Sequence, residues 1–150
     1  MITLTYKQID GIAGVHGEYV KLSPQMGIKL IHSKLFRTQA KAMRSQAWKL
    51  AMQESRYLQL AFESGVVPRS YGVSLVKVRS GFRVGVLMQH LGATPLCNSE
   101  FYDSLEVFDD INERLLEVGI SHADLHEDNV MVYRGKYYAI DFSPQSIDYT

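Results

Sequence analysis

Apolar residues recur along this chain at changing intervals, and the changes mark its elements. Residues 18–22 and 27–31 are short strand candidates on either side of Ser23-Pro24-Gln25, a turn signal. From about 38 to 64, Ala40, Met43, Ala47, Ala51, Leu58 and Ala61 recur at steps of three, four or seven. That spacing predicts one long helix, with Gly65 as its C-cap. Residues 73–88 alternate around Ser80-Gly81 and predict a β-hairpin. Gly92-Ala93-Thr94-Pro95 breaks the chain, after which Asn98 or Ser99 can cap a second helix. Its apolar stripe is Phe101, Leu105, Phe108, Ile111 and Leu115, and it ends near Gly119. A polar loop over 122–129 precedes a second hairpin, 130–133 and 137–140, around Arg134-Gly135-Lys136. The order is that of an α+β protein.

A chain of 150 residues with 46% hydrophobic positions can bury one core, or two small lobes sharing a cleft. The formal net charge of +0 weighs against a broad nucleic-acid surface, so no nucleic-acid partner is expected. The single cysteine, Cys97, excludes an intrachain disulfide, favours a reducing, cytoplasmic setting, and reads as a small hydrophobe. No apolar run approaches the roughly 18–20 residues that span a bilayer, so no membrane association is expected. The start, Met-Ile-Thr-Leu-Thr-Tyr-Lys, does not read as a signal peptide.

The strongest chemical signal is His122-Ala123-Asp124-Leu125-His126-Glu127-Asp128-Asn129, followed by Ile140-Asp141-Phe142-Ser143. Phosphoryl transfer from ATP needs metal ions on the phosphates and a carboxylate that orients the acceptor hydroxyl and takes its proton. A tight loop can present an Asp to the substrate and, five positions on, an Asn to a metal. The following hairpin then brings a second Asp to the same metals. Oxygen ligands of this kind suit Mg²⁺.

These residues resemble the catalytic loop and metal-binding segment of the protein-kinase-like superfamily, H-R-D-x-x-x-x-N followed by D-F-G. The resemblance implies a two-lobed kinase-like fold with ATP and Mg²⁺ as cofactors. The implied lobes are residues 1–88, a hinge at 89–91, and a minimal second lobe at 92–150. Asp124 would be the catalytic base, Asn129 and Asp141 would hold Mg²⁺, and His122 and Phe142 would support the loop. Gly27-Ile28-Lys29 looks like the A-x-K strand motif, which would set Lys29 against the phosphates. Glu54 falls inside the apolar stripe of the long helix, where a carboxylate requires a cation, and Lys29 is the natural candidate. The alternative is a rotated helix that leaves Glu54 exposed. Gly14 and Gly17 would be the last two glycines of a phosphate-covering loop, with Tyr19 where the family often has valine. Met88, Gln89 and Leu91 would border the adenine.

The sequence departs from the pattern in four places. Ala123 replaces the catalytic-loop arginine, and Ser143 replaces the glycine after Asp-Phe. His126 replaces the lysine two after the base, which looks more like aminoglycoside phosphotransferases. It either contacts the γ-phosphate or bonds within the loop. Seven residues follow Ser143 and no A-P-E segment is among them, which resembles a truncated second lobe of the smallest bacterial and phage kinases, including delivered effectors. The implied activity is a minimal protein Ser/Thr kinase acting on a protein substrate in a bacterial or phage-infected cell. The alternatives are a small-molecule kinase and a pseudokinase that regulates a protein partner.

Overall fold

The computed structural model describes residues 2–3, 18–78, 80–92, 94–96, 103–122, 125–140 and 147–149. The chain divides into two compact units. The first comprises Met1–Ser55 and Ser70–His90, and the second Arg56–Arg69 and Leu91–Thr150.

The first unit holds a five-stranded sheet. Its strands are β1 (Ile2–Thr3), β2 (Glu18–Lys21), β3 (Met26–Phe36), β4 (Ser70–Val78) and β5 (Gly81–Gln89). Their order across the sheet is β1-β4-β5-β3-β2. Only the β1–β4 pair is parallel. The β2–β3 turn is fixed by Ser23, whose Oγ accepts from the N–H groups of Gln25 (3.2 Å) and Met26 (3.1 Å). That is the local hydroxyl-to-backbone bonding that makes serine a turn former. Strand alternation sends Val20, Ile28, Leu30, Val76 and Val78 into one buried cluster, with Leu22 and Leu87 against it. Burial of each large aliphatic side chain there contributes about 1.5–3 kcal/mol. The opposite face carries Gly27 and Lys29.

The expected single helix is two: α1 (Gln39–Met43) and α2 (Gln46–Ala61), followed by a 3-10 turn at Phe62–Ser64. Ser45 causes the break. Its Oγ donates to the Ala42 carbonyl (2.6 Å) and accepts from the Trp48 N–H (3.2 Å), so it closes one helix and caps the next. The break rotates the first segment. Ala42 is buried there, while Ala40 and Met43 are exposed. In α2 the expected stripe holds, with Ala47, Ala51, Leu58 and Ala61 buried. Gly65 follows with φ +76, a conformation that favours glycine.

The second unit is built on α3 (Ser104–Glu117), which buries Val107, Ile111 and Leu115. Its cap is Asp103 rather than Asn98 or Ser99. The Asp103 carboxylate accepts from the Leu105 and Glu106 N–H groups. The start is therefore later than expected, and Leu105 is 73% exposed instead of lying in the apolar stripe. Phe101 lies outside the described residues. After α3 come β6's partners: β6 itself is Thr94–Pro95, and it pairs with β8 (Val130–Tyr133), which pairs with β9 (Lys136–Ala139). A separate antiparallel pair joins β7 (Ile120–His122) to β10 (Ile147–Tyr149). The β8–β9 loop is two residues, Arg134 (φ +50) and Gly135 (φ +76), the sign pair that a tight hairpin turn requires.

Residues 56–69 group with the second unit. There the Ala139 N–H donates to the Val66 carbonyl (2.7 Å), and Val66 and Val67 are buried.

Helix α3 is tied to β9 by Asp110, whose carboxylate accepts from the Tyr137 hydroxyl and from Arg114 Nε at 3.1 Å. The Tyr137 hydrogen bond, with a smaller contribution from Arg114, holds the Asp110 carboxyl below its ordinary value of 3.8. A carboxylate with a lowered folded-state value adds stability above its unfolded value and loses it as pH falls through the folded one. Wild type is therefore expected to exceed Tyr137→Phe in urea stability by a constant margin at neutral pH. That margin should shrink below about pH 4; a pH-independent margin in paired urea melts would show that Asp110 is not the group involved.

Candidate active site

Strand β3 sets the first part of the site. Ile28 is fully buried in the core, so Gly27 and Lys29 project to the other face. Glu54, in α2, is 2% exposed, and its Oε1 lies 2.6 Å from Lys29 Nζ. The cation that the sequence demanded for Glu54 is thus Lys29. A buried carboxylate that loses its cation costs about 3–5 kcal/mol, far more than a surface pair is worth. The pair fixes the ammonium at one point on the sheet face.

Strand β5 ends beside it. Met88 stands opposite Gly27 and Gln89 opposite Met26. The His90 N–H donates to the Gln25 carbonyl (3.0 Å), and Leu91 is 8% exposed. Tyr19 lies across this face. It stands opposite Lys29 in the β2–β3 register, and its hydroxyl is 2.7 Å from His90 Nδ1. The two rings are nearly parallel, 19° apart, with centroids at 5.7 Å. A Cβ at position 27 would overlap the end of the Tyr19 side chain, so glycine there lets the ring lie against β3, and a larger residue would make the ring shift. Burial pushes the Tyr19 phenol up to about 12, and His90 is held below its ordinary value by burial and then by the charge of Lys21. Sequence reasoning noted Tyr19 only as a departure and gave His90 no role. The contact spans 71 positions and has no local signature.

In the second unit, β7 delivers His122 into the core at 4% exposure, where its Nε2 donates to the Ile140 carbonyl (3.0 Å). The Ile140 N–H donates to the Asn129 carbonyl (2.9 Å). Both peptide groups of the residue preceding Asp141 are therefore held by the two ends of the 122–129 loop. Asn129, 3% exposed, accepts the His126 N–H on Oδ1 (2.9 Å), and its own N–H donates to the His126 carbonyl (3.1 Å). His126 caps the 3-10 turn Glu127–Asn129, with Nδ1 accepting from the Asp128 N–H (3.2 Å). His126 thus bonds within the loop. Ser104 steadies the turn from α3 by donating to Glu127 Oε1 (2.7 Å).

Asp124, Asp141, Phe142, Gly14 and Gly17 lie outside the described residues. Among the described residues no three His, Cys, Asp or Glu side chains cluster as metal ligands. Asn129 nonetheless fits a hard cation. An amide oxygen is the kind of donor that a hard cation prefers.

A model of the RIO domain family matches residues 24–150. The chain belongs to the RIO domain family. RIO domains are atypical protein kinases with a kinase-like fold, which places this chain in the protein-kinase-like superfamily. The matched span of the RIO domain takes in Lys29, Glu54, Asp124, Asn129 and Asp141, and leaves out Gly14, Gly17 and Tyr19. Among solved structures, the crystal structure of WbdD at 2.2 Å superposes with a TM-score of 0.60 at 20% identity. The alignment covers 91% of this chain and 31% of that one, so the RIO domain here spans about a third of WbdD's length. At that identity the likeness is one of fold. No curated protein matches the chain in sequence.

Lys29→Met is expected to lower urea stability of the RIO domain by about 3–5 kcal/mol. Lys29→Met combined with Glu54→Leu should recover most of that loss, because the buried carboxylate goes with its cation. Equal losses in the single and double variants would show that the pair is not energetically coupled.

Proposed function

We propose that this RIO domain transfers the γ-phosphate of magnesium ATP to a serine or threonine hydroxyl of a protein. The observation that carries the reading is the Lys29–Glu54 pair, a strand lysine held at 2.6 Å by a buried helix carboxylate. Burying a charge solely to hold another in place is hard to explain as stabilisation, since an apolar pair would serve as well.

In this reading Lys29 contacts the phosphates, and backbone groups at Met88, Gln89 and Leu91 meet the base. Gly14 and Gly17 cover the phosphates. Asn129 and Asp141 hold Mg²⁺, which when bound neutralises phosphate charge. Asp124 accepts the proton of the acceptor hydroxyl as its oxygen bonds to the γ-phosphorus. The bond from that phosphorus to the β-phosphate oxygen breaks, and ADP leaves. His122 and the Asn129 carbonyl act on positioning, through Ile140. The setting proposed is the cytoplasm of a bacterial or phage-infected cell, where ATP is available.

The test is transfer of label from γ-labelled ATP with Mg²⁺, to the protein itself and to proteins of a cell lysate. Asp124→Asn should lower the rate by about 10²–10⁴-fold, the range of general acid–base contributions. Asp141→Asn should abolish both transfer and the thermal shift given by magnesium ATP. Label that survives in Asp124→Asn at the wild-type rate would remove the base assignment. ATP consumption with sugars or aminoglycosides and no labelled protein would identify a small-molecule kinase. Nucleotide binding without transfer to any acceptor would identify a pseudokinase.

A further inference from the structure

We propose that copies of this chain associate with one another, the basic surface of α1 in one copy seating on the acidic, leucine-bearing face of α3 in the next. The occupant of each face is a second copy because every copy carries both halves of the contact.

The formal net charge of +0 conceals a division. The first unit holds eleven Lys and Arg against three Asp and Glu, a balance of +8. The second holds five against thirteen, a balance of −8. Charge of one sign gathered on one part of a molecule attracts the opposite sign and repels its own. In the first unit no Asp or Glu occurs between Glu18 and Glu54, and Glu54 is buried against Lys29. Arg37, Lys41, Arg44 and Lys49 are exposed there, with Met43, 50% exposed, among them. Lys41 and Arg44 stand three apart on the side of α1 away from the buried Ala42. On α3 the exposed acids Glu106, Asp109, Glu113 and Glu117 follow at steps of three and four, which makes one row along the helix. Leu105 and Leu116, 73% and 52% exposed, are about three helical turns apart, so they share a side next to that row. Like charges three and four apart work against the helix that carries them. From Asp103 to Glu117 six carboxylates meet a single cation, Arg114, and it is bound to Asp110. A basic row with an exposed methionine and an acidic row with exposed leucines are opposite in charge and both carry apolar side chains, a match that joins electrostatic steering to contact. A foreign partner would answer one face only, whereas the chain's own copies answer both, with balances equal and opposite. Because the two surfaces differ, the contact is head-to-tail.

The experiment is sedimentation velocity on the purified protein, from micromolar to submillimolar concentration, at about 0.1 M and about 1 M salt, where charges are screened over about 10 Å and about 3 Å. The sedimentation coefficient should rise with protein concentration at the lower salt, and association should weaken by about tenfold or more at the higher. Lys41→Glu with Arg44→Glu should weaken self-association at the lower salt by about tenfold or more, and so should Glu113→Lys with Glu117→Lys. An equimolar mixture of the two reversed proteins should associate again, since each then offers the charge that the other lacks. All four positions are exposed, so these variants are expected to keep the fold. Should one of them fail to fold, the other and the salt series decide. Wild-type protein that stays monomeric at the lower salt overturns the pairing and leaves each face to a foreign partner of opposite charge. Association that persists at the higher salt, that survives either reversal, or that the mixture of folded variants does not restore, overturns it as well. No nucleotide is present, so the outcome is independent of the phosphotransfer reading.

Discussion

A carboxylate at 2% exposure requires a cation, and the Lys29–Glu54 pair meets that requirement by joining strand β3 to helix α2. Most of the first unit is arranged around this contact. Strand alternation sends Ile28 and Leu30 into the core and leaves Lys29 on the other face. Ser45 stops α1 and restarts α2, so that Ala47, Ala51 and Glu54 share one buried side. A helix running unbroken from residue 38 would carry the exposed Ala40 and Met43 in phase with that side. The ion pair is costly to bury, and its retention is most simply understood through the lysine it fixes.

The second unit solves a similar positioning problem with backbone hydrogen bonds. Ile140 is bonded through both its carbonyl and its N–H, to the His122 ring and to the Asn129 carbonyl. The 122–129 loop therefore closes on the residue before Asp141. Histidine suits this role because it donates a hydrogen bond to a carbonyl while filling a buried space. Asn129 does two jobs: its Oδ1 takes the His126 N–H and its carbonyl takes the Ile140 N–H. His126 completes the turn as a cap.

Tyr19, Gly27 and His90 belong to one packing arrangement. Glycine on β3 makes room, tyrosine on β2 fills it, and histidine after β5 receives the hydroxyl. In the sequence Tyr19 and Gly27 stand as separate positions of the family pattern, and only the fold joins them to His90. Jointly they form one surface beside Lys29.

The kinase-like fold was legible in the sequence, because the spacing of the 122–129 and 140–143 segments pointed to the superfamily in which the RIO domain match places the chain. The Lys29–Glu54 pair was legible too, since a charge inside an apolar stripe has few physical solutions. Strands and helices with strong alternation or stripes were placed within a few residues. What failed depended on competition. Helix α3 is capped by Asp103, not by the expected Asn98 or Ser99, and Leu105 is exposed. The short strands β6, β7 and β10 carry too few residues to show a period, and they exist through pairing with distant partners. Position along the chain determined which residues had the chemistry for this site. Only the tertiary structure decided which of them touch, because the contacts of Tyr19 with His90 and of His122 with Ile140 depend on pairings whose register no local pattern contains.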